Sequence, residues 1–452
     1  MLQNTYMVKK NYLLPIILGG HLLILILTSF TAWPEMLAWP YLIMKGWLPY
    51  KDIAIAHTPF LLFDLLLVYK VFGAGPMQIQ IYSWIITLLT DLVIYFVVSR
   101  LHNKKVALWT LLLFVPLNIF YEGNGLWFDH LLGPLVLLSY YFIKKEKFLT
   151  AGLMWGLAFM TKQTAVWFLP GVVYLFWGKD LLFKLKEYAC GFLIPITITF
   201  VVFQLLGILP NFLYWAFQFG VYTLPRAMGQ IDYPSIRQII VSLAPIAIMI
   251  PVLIAEKRKY IALILLGVLG IMGANPRWEL FHFQPGLPFI AIIGGLVLSG
   301  EIKLKGYLRG FFLLFAIGII VLSFRSIRTS FMKEDRFLES AVISTANKIN
   351  EATKPGDKIF VLNSWDSLYA LSDRMPSVRP LIPQLEWYYT DKIDDYVSAK
   401  LLENLPDIVV MQPYTKTGLS SFKPEALTGT IFRYYSTDKI IDNNFWILKP
   451  YR

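Results

Sequence analysis

Charge and cysteine are both scarce in this sequence. Only 15% of its 452 residues are Asp, Glu, Lys or Arg, against about a quarter in ordinary soluble domains. A chain so poor in charge cannot cover a water-facing globule of this size, which excludes a single soluble domain. There is one cysteine, Cys190, so neither a disulfide framework nor a Cys-based metal site can form within the chain. In its apolar stretch Cys190 reads as a small core residue. The five histidines show no i, i+4 pairing, and neither a metal nor a cofactor is expected.

Apolar and aromatic residues fill the place of the missing charge, at 57% and 16%. Apolar runs approaching the ~20 residues that cross a bilayer recur along the chain. They predict about eleven spans, near 12–32, 78–99, 106–120, 128–143, 148–161, 164–178, 188–207, 236–255, 260–274, 285–300 and 308–326. The first follows Lys9 and Lys10 and imitates a signal peptide, but it is long for one and has no small-x-small cleavage site. It is expected to stay as a span. The fold class is therefore an all-α polytopic membrane protein.

The net charge of +12 lies in short clusters between these runs, not on a nucleic-acid-binding face. The clusters are Lys9 and Lys10; Arg100, Lys104 and Lys105; Lys144, Lys145 and Lys147; Lys179, Lys184 and Lys186; Lys257, Arg258 and Lys259; and Lys303, Lys305 and Arg309. Every second loop is basic, so these loops are expected to face the cytoplasm. The partners are membrane lipids, with no nucleic acid. An odd number of spans then places the N-terminus inside and the tail outside.

Residues 59–73, "PFLLFDLLLVYKVFG", are too short to span and are interrupted by Asp64 and Lys70. They predict an interfacial helix in the first outer loop. A second helix is expected earlier in that loop, beginning or kinking at Pro40 because interior proline breaks helices. From about residue 327 the chain turns polar, with a helix-like stretch at 333–353. "KIFVLN" and "PDIVVMQP" read as strands, "KIDDYVSAKLLENL" as a helix and "IIDNNFWILKPY" as a hairpin. Two domains are expected: 1–326 in the membrane and an extracytoplasmic α/β domain at 327–452. The tail has no Gly-rich phosphate loop or triad spacing, which points to support or acceptor docking.

The outward loops collect ionisable residues: Glu35, Lys51, Asp52 and His57, then Glu122 and Asp129, Lys162, Arg226 and Asp232, and Arg277, Glu279 and His282. Such groups at a membrane face are costly and often functional. Carboxylates beside cations suit group transfer from a lipid phosphate, with a general base for the acceptor hydroxyl and cations for the leaving phosphate. Each residue also has a plainer reading. Glu35 complements a helix dipole, Asp52 closes a turn, His57 is an interfacial hydrogen-bonding group, and Lys162 and Arg277 are snorkelling anchors. His21 is expected to be a satisfied interhelical residue. Trp33, Trp39, Trp47, Trp127 and Trp278 read as an aromatic belt.

Four segments occur in order on that face: Pro34-Glu35; "LIMKGWLPYKD" followed by His57-Thr58-Pro59; "GLAFMTKQTAVWFLP"; and "RWELFHFQPGLPFIAII". With them the chain resembles the membrane-embedded GT-C glycosyltransferases, in the group of protein O-mannosyltransferases and aminoarabinose transferases. The resemblance implies a polyprenyl-phosphate-linked sugar donor and inverting transfer to a lipid, protein or glycan acceptor on the extracytoplasmic face. By position it makes Glu35 the acid/base residue and Asp52 a second carboxylate. Lys51 and His57 would shape the pocket, Asp129 would belong to it, and Lys162, Arg277 and His282 would hold the lipid phosphate. The family commonly has Asp at position 34, Arg at 51 and Pro at 58, where this chain has Pro34, Lys51 and Thr58. A transporter or flippase of lipid-linked sugars, and an inactive family member, are the alternatives.

Overall fold

The structure, a computed structural model, describes residues 12–178, 180–227, 229–256, 259–389, 391–414, 423–441 and 445–451. Lys9, Lys10, Lys179, Lys257 and Arg258 of the basic clusters lie outside the described residues, as does 442–444 of the expected hairpin.

Seven helices come first: α1 (Leu13–Leu27), α2 (Pro34–Met44), α3 (Phe60–Phe72), α4 (Pro76–Leu101), α5 (Lys104–Phe120), α6 (Phe128–Lys144) and α7 (Phe148–Thr161). Helical segments follow at Gln163–Phe176, Leu181–Leu205, Ile236–Ala255, Ile261–Ala274, Leu280–Leu298 and Gly306–Ser330. Helix thus lies at all eleven expected positions. Among the described residues, five helices have the length and composition to cross a bilayer: α4, Leu181–Leu205, Ile236–Ala255, Leu280–Leu298 and Gly306–Ser330. The 15-residue α1 rises only about 22 Å at 1.5 Å per residue, short of a ~30 Å hydrocarbon core.

Small residues set the tightest packing. A Cβ on Gly152 of α7 would meet Tyr188 O at 1.9 Å, and one on Gly191 would meet Leu149 O at 1.9 Å. Only glycine lets these two backbones approach so closely, as at many membrane helix crossings. The other side of Leu181–Leu205 has no packing partner and exposes Leu182, Phe183, Ile198, Val201 and Leu205, as a lipid-facing helix would. Cys190 is exposed on this helix, which overturns its reading as a core residue. Apolar sequence marks the lipid side as readily as the core.

The helix α2 starts with Pro34 in its first turn, where a missing N–H costs nothing. It runs through Pro40 and does not begin there. Pro40 cannot donate to the Met36 carbonyl, but the Tyr69 hydroxyl of α3 donates to that oxygen at 3.1 Å. A side chain from the neighbouring helix replaces the lost backbone bond. The expected interfacial stretch forms as α3, ending at Gly73 with φ +82°.

The C-terminal region carries a five-stranded sheet of order β2-β1-β3-β5-β4. The strands are β1 (Lys358–Leu362), β2 (Met375–Pro376), β3 (Ile408–Met411), β4 (Tyr435–Ile441) and β5 (Phe445–Pro450). β1 pairs in parallel with β2 and β3, with Phe360 opposite Val409, and β5 runs antiparallel to β3 and β4. The apolar runs in β1 and β3 are buried, as inner parallel strands are.

Backbone bonds sew this region to the first loop. Ala54 N–H donates to Leu381 O at 2.9 Å, Leu381 N–H to Asp52 O at 2.9 Å, and Arg336 N–H to Phe30 O at 2.8 Å. Asp373 accepts from Lys45 Nζ and Tyr41 Oη of α2, each at 2.8 Å.

Candidate active site

Where the sewn segments meet the helical body they enclose a cavity of about 720 Å³. Its walls come from the start of α2, the loop at His57, the 162–167 turn, the segment 273–282 and the C-terminal loops at 364–366 and 383–388. Glu35, His57, Lys162, Arg277 and His282 all line it.

Asp129, in the first turn of α6, is fully buried behind one wall. One of its oxygens lies 2.5 Å from Lys162 Nζ and 2.9 Å from His282 Nδ1, and these two nitrogens are 3.2 Å apart. The sequence positions Lys162 by ending α7 at Thr161, so Lys162 is extended at φ −154°. An ammonium has three donors; Asp129 takes one, and His282 Nδ1 takes a second only in the tautomer that does not donate to Asp129, so at least one donor remains for the cavity. Arg277 pairs with Glu279 and lies 4.7 Å over the Trp387 ring. Arg226 also lines the cavity. Lys162, Arg226 and Arg277 thus bring three cations to the cavity.

Glu35 occupies another part of the wall, in the first turn of α2. Its Oε2 is enclosed and has no hydrogen-bond partner among the described residues. Burial, with a further push from Glu279, raises its pKa to about 7. His57 is packed against Phe128 at 4.4 Å and Trp127 at 5.5 Å. Burial and then the Lys162 charge depress it to about 3, so it is a neutral imidazole at physiological pH.

Lys51 and Asp52 stand outside the cavity. Lys51 is exposed. Asp52 accepts the Leu48 N–H at 2.9 Å and faces Arg379 at 3.7 Å. It closes the turn at Tyr50, whose φ is +64°, and this is the turn-residue reading of Asp52 given above. A membrane-side motif brings its residues together only if the intervening turn points inward, and here it points to the C-terminal region.

The tryptophans are also placed differently from the expected belt. Trp33, Trp39 and Trp127 line the cavity, and Trp33 contacts Trp127, Phe281 and Phe337 at 5.0–5.2 Å. Trp47 is buried. Aromatic rings at this depth form the site wall.

The residues missed by sequence reasoning come from the tail: Ser364, Trp365, Asp366, Gln384, Trp387 and Tyr388 line the same cavity. A usable signal was present. Asn363-Ser364-Trp365-Asp366 directly follows β1, and open parallel sheets bind ligands beyond the carboxyl ends of their strands. Burial, followed by the nearby Glu35 charge, pushes Asp366 up to about 8. Among the described residues no group of three or more His, Cys, Asp or Glu could hold a metal ion.

Fold and site together define a multi-pass membrane protein with a cavity lined by aromatic and ionisable residues and bordered by a small α/β region. The family model for dolichyl-phosphate-mannose-protein mannosyltransferases matches residues 56–206. Across 96% of this chain and 97% of the other, the fold is similar to ArnT from Cupriavidus metallidurans bound to undecaprenyl phosphate, with 13% identity and a TM-score of 0.64. It is also similar to the Archaeoglobus fulgidus oligosaccharyltransferase tethered with an acceptor peptide, at 12% identity and a TM-score of 0.53, over 98% of this chain and 74% of that one. No curated protein matches by sequence. The chain resembles the GT-C glycosyltransferases, in the group that holds the mannosyltransferases and ArnT.

Proposed function

We propose that this protein transfers a sugar from a polyprenyl-phosphate-linked donor to an acceptor hydroxyl on the extracytoplasmic face. The observation that carries the proposal is that one cavity is lined both by basic residues, Lys162, His282, Arg226 and Arg277, and by Glu35 with an oxygen unpaired among the described residues. ArnT holds undecaprenyl phosphate and the archaeal enzyme AglB was solved with dolichol-phosphate, which supports the lipid-phosphate donor. The basic loops put the N-terminus in the cytoplasm, and residues 327–452 form an outer domain.

In this scheme Glu35 takes the proton of the acceptor hydroxyl. The acceptor oxygen bonds to the anomeric carbon while the bond from that carbon to the phosphate oxygen breaks. The electron pair leaves with the polyprenyl phosphate, and Lys162 and Arg277 offset its charge. One displacement inverts the anomeric centre. A pKa near 7 suits a base that must be both ionised and basic at neutral pH.

A flippase is the second reading, because the helical body also holds buried polar groups. His21 Nδ1 lies 2.7 Å from Asp91, His21 Nε2 3.2 Å from Asn118, and the Asn118 amide donates to Gln284 at 3.0 Å. Both ring nitrogens of His21 have partners here, as expected for an interhelical residue. The cavity beside this cluster is only about 10 Å³, near the size of one water. It gives no passage to a sugar.

The test is transfer from a panel of polyprenyl-phosphate sugars by the full chain in lipid. Wild type is expected to transfer, and Glu35→Gln to lose about 10²–10⁴-fold. A wild type that flips lipid-linked sugars and transfers none would overturn the proposal.

A further inference from the structure

The short helix Ser367–Leu371 of the C-terminal region packs on α2. That contact brings Asp366, which is 8% exposed, into the cavity wall that carries Glu35. Ser364 Oγ and Trp39 Nε1, on cavity-lining residues 6% and 2% exposed, are buried and have no hydrogen-bond partner among the described residues. Glu35 and Trp39 are four apart on α2 and share a helix face. Buried polar groups cost free energy unless they are paired. Carboxylate oxygens here call for O–H donors, the indole N–H calls for an acceptor, and Ser364 can serve as either. A polyhydroxylated ligand supplies donors and acceptors together.

We propose that Glu35 and Asp366 form a carboxylate pair that shares one proton and binds the acceptor, which is of the sugar or polyol class, through adjacent hydroxyls. This rests on the transferase reading above. The protonated Asp366 donates to one acceptor hydroxyl oxygen, and the ionised Glu35 accepts the proton of the neighbouring, attacking hydroxyl. Burial opposes charge at both sites, and the Glu35 charge further opposes ionisation of Asp366, so the pocket carries one negative charge. The other groups facing the pair do not neutralise it. Glu279 faces Glu35 but is paired to Arg277, and Tyr388, Tyr369 and Tyr389 are held neutral by burial. Lys162 is engaged by Asp129, and Arg336 stacks on Trp33 at 5.3 Å.

Two measurements on the full chain in lipid test the pair. The first is transfer from polyprenyl-phosphate-mannose to methyl glycosides across pH. Asp366→Asn is expected to raise the acceptor KM at least tenfold and to remove the alkaline limb of the rate profile, because that limb is the loss of the proton the pair retains. Asp366→Glu is expected to restore part of both. An unchanged KM and a retained alkaline limb would overturn the pair while leaving the transferase reading intact. The second is infrared titration of protonated carboxyls, assigned with Glu35→Gln and Asp366→Asn, which needs no substrate. Two coupled steps are expected, collapsing to a single step in Asp366→Asn. If Glu35 titrates identically with and without Asp366, the pair is refuted even where wild type transfers nothing.

Discussion

Asp129→Asn removes a charge while keeping its shape, and the structure fixes what should follow. Asp129 is fully buried, Lys162 is 5% exposed, and they meet at 2.5 Å, with His282 the third member at 2.9 Å. Removing one partner of a buried ion pair strands the other charge and costs about 3–5 kcal/mol. In Asp129→Asn the ammonium keeps an amide oxygen and His282, so the lower end, about 3 kcal/mol, is expected. Lys162→Met leaves the carboxylate with His282 alone and should cost at least as much. The double variant carries neither charge and should lose only about 1–2 kcal/mol, since well-packed neutral replacements of buried pairs are often close to neutral. The cycle then gives a coupling of about 4 kcal/mol. Thermal unfolding of the reconstituted chain, followed by tryptophan fluorescence, reads the stabilities. Transfer assays separate the roles, because the double variant should be folded yet inactive, lacking the phosphate-binding cation. Single-variant losses that add within about 0.5 kcal/mol would refute the buried triad as a coupled unit.

Glu35 predicts a pH dependence of stability that needs no substrate. Its folded pKa of about 7 lies above the ordinary carboxyl value of 4.5. Below pH 4.5 both states hold the proton; above it the unfolded chain releases the proton while the fold keeps it. Stability should therefore fall as pH rises from 4.5 to 7 and level off beyond. Glu35→Gln should flatten that slope and be more stable than wild type at pH 8; a wild-type curve already flat over this window refutes the buried carboxyl. Tyr69→Phe should cost about 1–2 kcal/mol, because it strips the Met36 carbonyl of the donor that replaces the Pro40 N–H; unchanged thermal unfolding would show that carbonyl to be otherwise satisfied. Gly152→Val should prevent close approach of α7 and Leu181–Leu205, with a large loss of folded protein on size-exclusion, whereas Gly310→Val, where a Cβ meets nothing within 4 Å, should not.

The positions of the apolar helices and the strands of the tail were legible because burial in lipid or in a core writes a period or a run into the sequence. The same is true of His57, Lys162, Arg277 and His282, charged or polar groups placed where lipid makes them costly, and all four line one cavity. Apolarity alone could not say which side of a helix meets lipid, so Cys190 was misread. Nor could local sequence say which way a turn faces: Lys51 and Asp52 sit within six residues of His57 yet point away from the cavity. The second carboxylate, Asp366, belongs to a different region and reaches Glu35 only through the packing of Ser367–Leu371 on α2. Sequence determines what each segment can tolerate around it, because propensity and hydropathy are local. The cavity, its charged lining and its tryptophan wall exist only once distant segments close over one another, since enclosure and unpaired buried groups are properties of contacts between them.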